Sequence, residues 1–455
     1  VNLIAEESFF MEIDATRGSV WKTMGRFALP YLCSYFLQTL YGMADLFIIG
    51  QFEGAASITA VSIGSQVMHM VTVMLVGLAM GTTVTIAQAV GGGKREQAAW
   101  ATGNTVTLFL GCSLVLAALL TFLAQPIAAL MHTPAEAIPG TVDYLVICFL
   151  GIPFITAYNI ISAIFRGLGN SRSPMIFIAI ACAVNIFLDY LFMGVFQMGP
   201  AGAALGTTLS QAVSVAISVC MIRWYHLGIS LRKEHLEPQR EVIWKLLRIG
   251  VPIALQDGFI QVAFLVITVI ANERGITDAA AVGIVEKIIS FVFLVPSSLL
   301  STVSALGAQN IGAHKPERAR AILQDALKAA AAFGIFMILV MQPAAPYFVG
   351  AFTREPAVIC AGAPYLRGYI VDTLFAGIHF SFSGFFCAWG RSEFSFIHNV
   401  ISIVLARIPL VYAASKAFPD TLLPMGLATA GGSLVSVLIC LGLFRKLAGR
   451  DKREG

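Results

Sequence analysis

Charged residues in this chain are clustered, and between the clusters lie twelve almost uncharged runs. Each is close to the ~20 residues that carry an α-helix across ~30 Å of hydrocarbon. The runs fall near 27–50, 57–82, 99–123, 141–165, 173–196, 200–225, 244–270, 279–305, 321–349, 358–389, 394–417 and 422–444. Hydrophobic residues are 58% of the 455 and charged residues only 12%, with mean hydropathy +0.82, whereas soluble domains are roughly 25% charged. Backbone groups in lipid must bond within their own segment, so runs of this length must be helices. The expected fold is an all-α polytopic membrane protein of twelve transmembrane helices.

The net charge of +4 hints at nucleic acid until the basic residues are placed along the chain. With both termini inside, Arg274, Arg354 and Lys416 are the basic residues of the outside loops, and Lys287, Lys328, Arg367 and Arg407 fall within or at the ends of spans. All other Lys and Arg lie on inside segments. The positive-inside rule then fixes an even number of spans with cytoplasmic N- and C-termini, and no nucleic acid partner is expected. The N-terminus mixes Glu6, Glu7, Glu12 and Asp14 with apolar residues, so no cleaved signal peptide is expected. The eight cysteines sit in or beside apolar runs without CxxC or Cys/His spacing, which indicates neither a disulfide framework nor a zinc site.

An internal repeat organises the twelve spans. AQAVGGGKREQA from Ala87 returns as AQNIGAHKPERA from Ala308, and FRGLGNS from Phe165 returns as FCAWGRS from Phe386, both at an offset of 221. WKTMGRFALP from Trp21 and WKLLRIGVP from Trp244 match with one residue of slippage. The chain therefore reads as an N-terminal tail (1–16), a first six-helix lobe (17–226), a polar linker (227–242) with core SLRKEHLEPQRE from Ser230, a second six-helix lobe (243–447) and a basic tail (448–455). Six spans per lobe orient equivalent helices alike, so the pseudo-two-fold axis is the membrane normal. A cleft between such lobes, open to one side at a time, needs no second chain, and a monomer is expected. Gly91, Gly92 and Gly93 permit a tight cytoplasmic reversal. No strand precedes them and no GK[ST] follows, so a phosphate loop is not indicated.

Asp45 lies in the middle of the first run. A central Asp costs about 2.5–3.5 kcal/mol on the translocon scale, so a chain that keeps one uses it. Asn185 and Asp189 repeat the situation in the fifth run, spaced i, i+4 on one helical face. Two carboxylates facing one dry cavity cannot both ionise cheaply. Such a pair holds a proton or a sodium ion, and the two compete. No cofactor is called for beyond H⁺ or Na⁺ as coupling ion.

These sequences resemble the multidrug and toxic compound extrusion (MATE) family over nearly the whole chain. The resemblance is carried by Pro30 leading into TLYGMADLFIIG from Thr39, the AQAVGGG and AQNIGA loops, FRGLGNSRSPM from Phe165 and GPAGAALGTTLS from Gly199. It implies proton- or sodium-driven export of small amphipathic, often cationic or aromatic compounds by alternating access, in a bacterial inner membrane. Residue by residue it is closest to the DinF-like branch, with its cation site in the first lobe. Asp45 takes the place of the aspartate fifteen residues after the bending proline, here Pro30. Asn185 and Asp189 match that branch's Asn-x-x-x-Asp, Thr207 matches the threonine of span 6, and Asn159 stands as the span 4 partner. Asp45, Asn185, Asp189 and Thr207 would then be the ligands of any Na⁺. A second branch uses carboxylates on spans 7 and 10, but Asp257 lies too close to Pro252 and Asp372 about one turn from the expected level.

In the second lobe Gln256, Asp257, Gln261, Glu286, Asp372 and His379 lie within apolar runs and are candidates for substrate contact or a secondary proton site. Glu286 is open to pairing with a nearby base, though Lys287 cannot share its helical face, and a lone His379 is more often a packing residue. Pro30, Pro153, Pro252 and Pro296 are expected to interrupt helices, with Pro30 as the hinge of span 1. Two competing functions are a lipid-linked oligosaccharide flippase of similar fold and a membrane-embedded enzyme. The first would call for a more cationic cavity. The second finds no HExxH, GxSxG or paired-aspartate motif. The choice between H⁺ and Na⁺ stays open.

Overall fold

A computed structural model of the chain describes residues 13–225, 229 and 231–454. The first twelve residues of the N-terminal tail, residues 226–228 and 230 at the start of the linker, and residue 455 lie outside the described residues. In chain order the helices of the first half are α1 (Val20–Phe52), α2 (Ala55–Gly91), α3 (Arg95–Phe122), α4 (Ala124–Leu130), α5 (Ile138–Leu150), α6 (Ile152–Gly167), α7 (Arg172–Asp189) and α8 (Gly199–Tyr225). Those of the second half are α9 (Arg240–Asn272), α10 (Ile276–Val292), α11 (Leu294–Gly312), α12 (Pro316–Gly350), α13 (Pro356–Tyr369), α14 (Asp372–Ala388), α15 (Ser392–Ser402), α16 (Ile408–Ala417) and α17 (Leu423–Glu454).

Among the described residues eleven helices or helix pairs are long and apolar enough to cross a membrane, and α5 with α6, bent by 48°, makes the twelfth. The expected all-α fold of twelve spans is thus present. Large apolar side chains such as Leu29, Phe47, Val115 and Phe122 stand more than half exposed. Patches of this kind on a helical bundle are lipid-facing surface.

The prolines behave in two ways. Pro153 and Pro296 open new helices, where a missing N–H is harmless. Pro30 and Pro252 lie inside continuous α1 and α9, so these two do not interrupt their helices. They mark a change of partner instead. One compact unit contains Leu29–Val251, and the other contains Ala15–Ala28 together with Pro252 onward. The packing boundaries therefore lie beside Pro30 and Pro252 rather than at 17 and 243, because the first turns of α1 and α9 each pack with the opposite half of the sequence.

The repeat is visible in the backbone. Gly93 and His314, 221 apart in sequence, both adopt left-handed φ (70° and 56°). Lys94 N–H donates to Ala89 O at 2.9 Å, and Lys315 N–H donates to Asn310 O at 2.8 Å. Gly169 and Gly390 repeat this at φ 90° and 68°, with Asn170 and Arg391 N–H reaching Phe165 and Phe386 O at 2.8 Å. Satisfying the last carbonyls through a left-handed residue is the usual way to stop a helix sharply.

The linker is not a free tether. His235 is fully buried against α3, with its ring 5.0 Å from that of Trp100 at 84°. Its Nδ1 accepts from Arg232 N–H at 3.0 Å, so Nε2 carries the ring hydrogen and donates to Glu96 at 2.9 Å. Asn104 Nδ2 donates to His235 O, and Asn104 Oδ1 accepts from Gln239 N–H at 2.6 Å.

Candidate coupling site in the first lobe

Asp45 lies on α1, Asn185 and Asp189 on α7 and Thr207 on α8, and the structure brings all four together. Asp45 is 2% exposed, while Asn185 and Asp189 are completely enclosed. Thr207 Oγ1 donates to Asp45 Oδ2 at 3.1 Å. The Asp45 carboxylate faces that of Asp189, with the Asn185 amide beside both. Asp45 Oδ1, both Asp189 oxygens and both polar atoms of the Asn185 amide have no hydrogen-bond partner. Among the described residues no ion pair involves either carboxylate.

Local structure explains how α7 presents Asp189. The helix ends at Asp189 and continues as a π turn, Tyr190–Val195, a wider turn that recurs at functional sites. The carboxylate is pressed against α8 at Gly206, where an added Cβ would lie 2.0 Å from Asp189 Oδ1. Only glycine allows that approach, and Thr207 follows it directly.

Asn159 does not join this group. Its Nδ2 donates to Ile155 O of its own helix at 2.8 Å, and it lines a separate small cavity with Tyr31, Thr83 and Arg166. There the Arg166 guanidinium lies 4.2 Å over the Tyr31 ring, a cation–π contact. The reading of the sequence missed Tyr41, whose hydroxyl donates to Thr207 O at 3.3 Å. Its place one turn before Asp45, on the same face of α1, was the available signal.

The candidates of the second lobe do not form one site. Gln256 is 1% exposed with both amide atoms unpartnered. Asp257 and Gln261 are half-buried on the same helix. Asp372 is ion-paired with Arg407 through Nη2 and Oδ2. Thr268 Oγ1 donates to Glu286 Oε2 at 3.3 Å, and among the described residues neither Lys287 nor any other base forms an ion pair with Glu286. His379 packs its ring 5.6 Å from that of His398.

Twelve spans in two repeat-related halves, with an enclosed acid pair in the first, define a polytopic transporter of repeated architecture. The MatE family profile matches residues 30–191 and again 252–413, more than half of the chain, and the chain belongs to that family. A probable multidrug resistance protein of Bacillus subtilis, YpnP, is 29% identical over 397 residues, covering 87% of this chain and 88% of its own. The probable multidrug resistance protein NorM of Thermotoga maritima is 27% identical over 405 residues, covering 87% and 86%. An outward-facing multidrug resistance MATE family transporter of the MOP superfamily superposes with a TM-score of 0.88 at 21% identity, covering 97% of this chain and 99% of its own. At that identity the superposition speaks for the fold.

Proposed function

We propose that this protein exports small amphipathic compounds, often cationic or aromatic, across a bacterial cytoplasmic membrane by cation-coupled antiport. The observation that carries the reading is the enclosed group of Asp45, Asn185, Asp189 and Thr207, in which Asp45 Oδ1, Asn185 Oδ1 and both Asp189 oxygens lack partners and, among the described residues, the two acids lack a base. Buried ionised carboxylates without partners are prohibitively unstable, so the group needs protons or a metal cation. Its donors are carboxylate, amide and hydroxyl oxygens, the hard set that suits a small hard cation. When bound, that cation supplies the positive charge that lets both acids remain ionised.

The chain's own residues do the coupling. Thr207 fixes one oxygen of Asp45, Tyr41 holds the α8 backbone at Thr207, and Gly206 lets Asp189 close on α8. Loading the acids changes the charge of the site by one or two units, and a substrate that senses this difference is bound in one state and released in the other. One positive charge moving inward through 100 mV releases about 2.3 kcal/mol. The excess of basic residues in the segments on one side supports cytoplasmic termini, and the presence of both halves in one chain supports a monomer as the transporting unit.

The test is efflux of an amphipathic dye from proteoliposomes, with a pH gradient and a sodium gradient imposed separately. Asp45→Asn and Asp189→Asn are expected to abolish gradient-driven efflux while the protein remains folded in the membrane. Wild-type efflux by either variant would overturn the assignment.

A further inference from the structure

A buried cation of the first lobe stands without a counter-charge, and the proposed function does not use it. Arg166, in the last turn of α6, is 8% exposed. It lines a cavity together with Tyr31 of α1, Ala79 and Thr83 of α2, and Asn159 and Ala163 of α6, all within the compact unit that contains Leu29–Val251. No Asp or Glu lines the cavity among the described residues. Among the same residues Arg166 forms no ion pair and its guanidinium donates no hydrogen bond. The guanidinium carbon lies 4.2 Å over the Tyr31 ring. An aromatic face attracts the charge, but it takes up none of the five N–H donors.

Two other enclosed arginines show what this side chain obtains elsewhere in the molecule. Arg407, which ends a second π turn, Ile403–Arg407, is 7% exposed and paired with Asp372. Arg274, whose side chain is 8% exposed, donates to Asp278 and to three backbone carbonyls. A guanidinium enclosed with neither acid nor carbonyl is costly unless a further group completes it. The cavity walls do not, because Thr83 Oγ1 gives its hydrogen to Ala163 O at 3.1 Å and Asn159 Nδ2 donates to Ile155 O at 2.8 Å. The space limits the occupant. Centres of water-sized particles range over about 10 Å³ inside the cavity, which is room for one of them. A water molecule accepts from the N–H groups and leaves the charge unopposed. A polyatomic oxyanion is too large, whereas a single halide ion is comparable with water.

We propose that Arg166 holds one halide ion, chloride, in this cavity, bound through the guanidinium N–H groups with Ala79 and Ala163 as apolar walls. Charge-assisted hydrogen bonds of this kind are the strong ones, and the ion makes the enclosed site neutral. Tyr31 directly follows Pro30, so the filled site joins α1 at its proline to the end of α6. The site is separate from the acid pair, which takes a cation.

The experiment melts the purified full-length protein in sodium chloride and in sodium gluconate at equal concentration, so that the cation available to Asp45 and Asp189 is the same in both. Chloride is expected to raise Tm in a saturable manner, because a ligand that binds the folded state stabilises it. The rise is expected to vanish in Arg166→Met, which keeps a long side chain without its charge, and to persist in Asp45→Asn. Equal Tm in the two salts, or a chloride effect that survives Arg166→Met, would overturn the proposal. Loss of the effect in Asp45→Asn would place the ion at the acid pair and overturn it as well. If Arg166→Met does not fold, crystals of the wild-type protein grown in bromide decide the matter. An anomalous bromine peak within hydrogen-bonding distance of the Arg166 guanidinium supports the site, and a cavity holding water alone sinks it.

Discussion

Thr207 commits its hydroxyl to one oxygen of Asp45 and leaves the other facing Asp189. A hydrogen bond to a charged group contributes roughly 1.5–3 kcal/mol, so Thr207→Val is expected to slow dye efflux about tenfold or more, while Thr207→Ser retains most of it. Initial rates in proteoliposomes check both. Gly206→Ala tests the same site by space alone. Its methyl would occupy the position of Asp189 Oδ1, and misplacing an essential group by about 1 Å costs up to 100-fold. Efflux should fall on that scale with membrane abundance preserved, because the surrounding helices are otherwise unchanged. The acids were legible in the sequence because a carboxylate in an apolar run has few innocent explanations. Tyr41 and Gly206 were not, since a tyrosine and a glycine in membrane helices mean little until the facing helix is known. Asn159 was joined to the group by its place on span 4 alone, which does not specify where the amide turns.

At the scale of single elements, α1 stays continuous through Pro30, although proline deprives the helix of one internal hydrogen bond and crowds the preceding turn. Pro30→Ala restores that bond and stiffens α1 where its packing partner changes. Transport at the normal rate and ion dependence in this variant would remove Pro30 as the hinge. The linker carries a separate prediction. His235 anchors it to α3 through Glu96, Trp100 and Asn104, while the neighbouring Arg232 and Lys233 are exposed. His235→Ala should release this segment and accelerate tryptic cleavage there severalfold, and intact mass of the fragments would locate the cut. An unchanged cleavage rate would mean that the remaining bonds hold the linker without the imidazole. The two π turns were invisible to periodicity arguments. Each departs from 3.6 residues per turn, so residues on either side no longer share the face that spacing predicts. Arg407 read as a residue near the end of a span for that reason, and its pairing with Asp372 went unseen.

For the whole molecule, the exchange of packing partners at Pro30 and Pro252 has a consequence for folding. Ala15–Ala28 belongs with the second compact unit, and the stretch up to Val251 belongs with the first. Arg318 of α12 illustrates the attachment, donating through Nε to Ala15 O at 2.7 Å and through Nη2 to Arg17 O at 2.6 Å. Chains divided within 226–230 are therefore expected to be degraded when either half is expressed alone and to accumulate in the membrane when both are expressed together. Stable accumulation of an isolated half would contradict this.

The sequence by itself determined the solvent, the number of spans, the repeat and the acids that need explaining. Each follows from a large local cost: the transfer of charge or bare backbone into lipid decides the matter residue by residue. Only the tertiary structure decided which acids meet, which glycine admits Asp189, which base neutralises Asp372 and where the packing units divide. Those outcomes depend on contacts between helices distant in the chain, where a rotation of one helix by a single residue changes every partner.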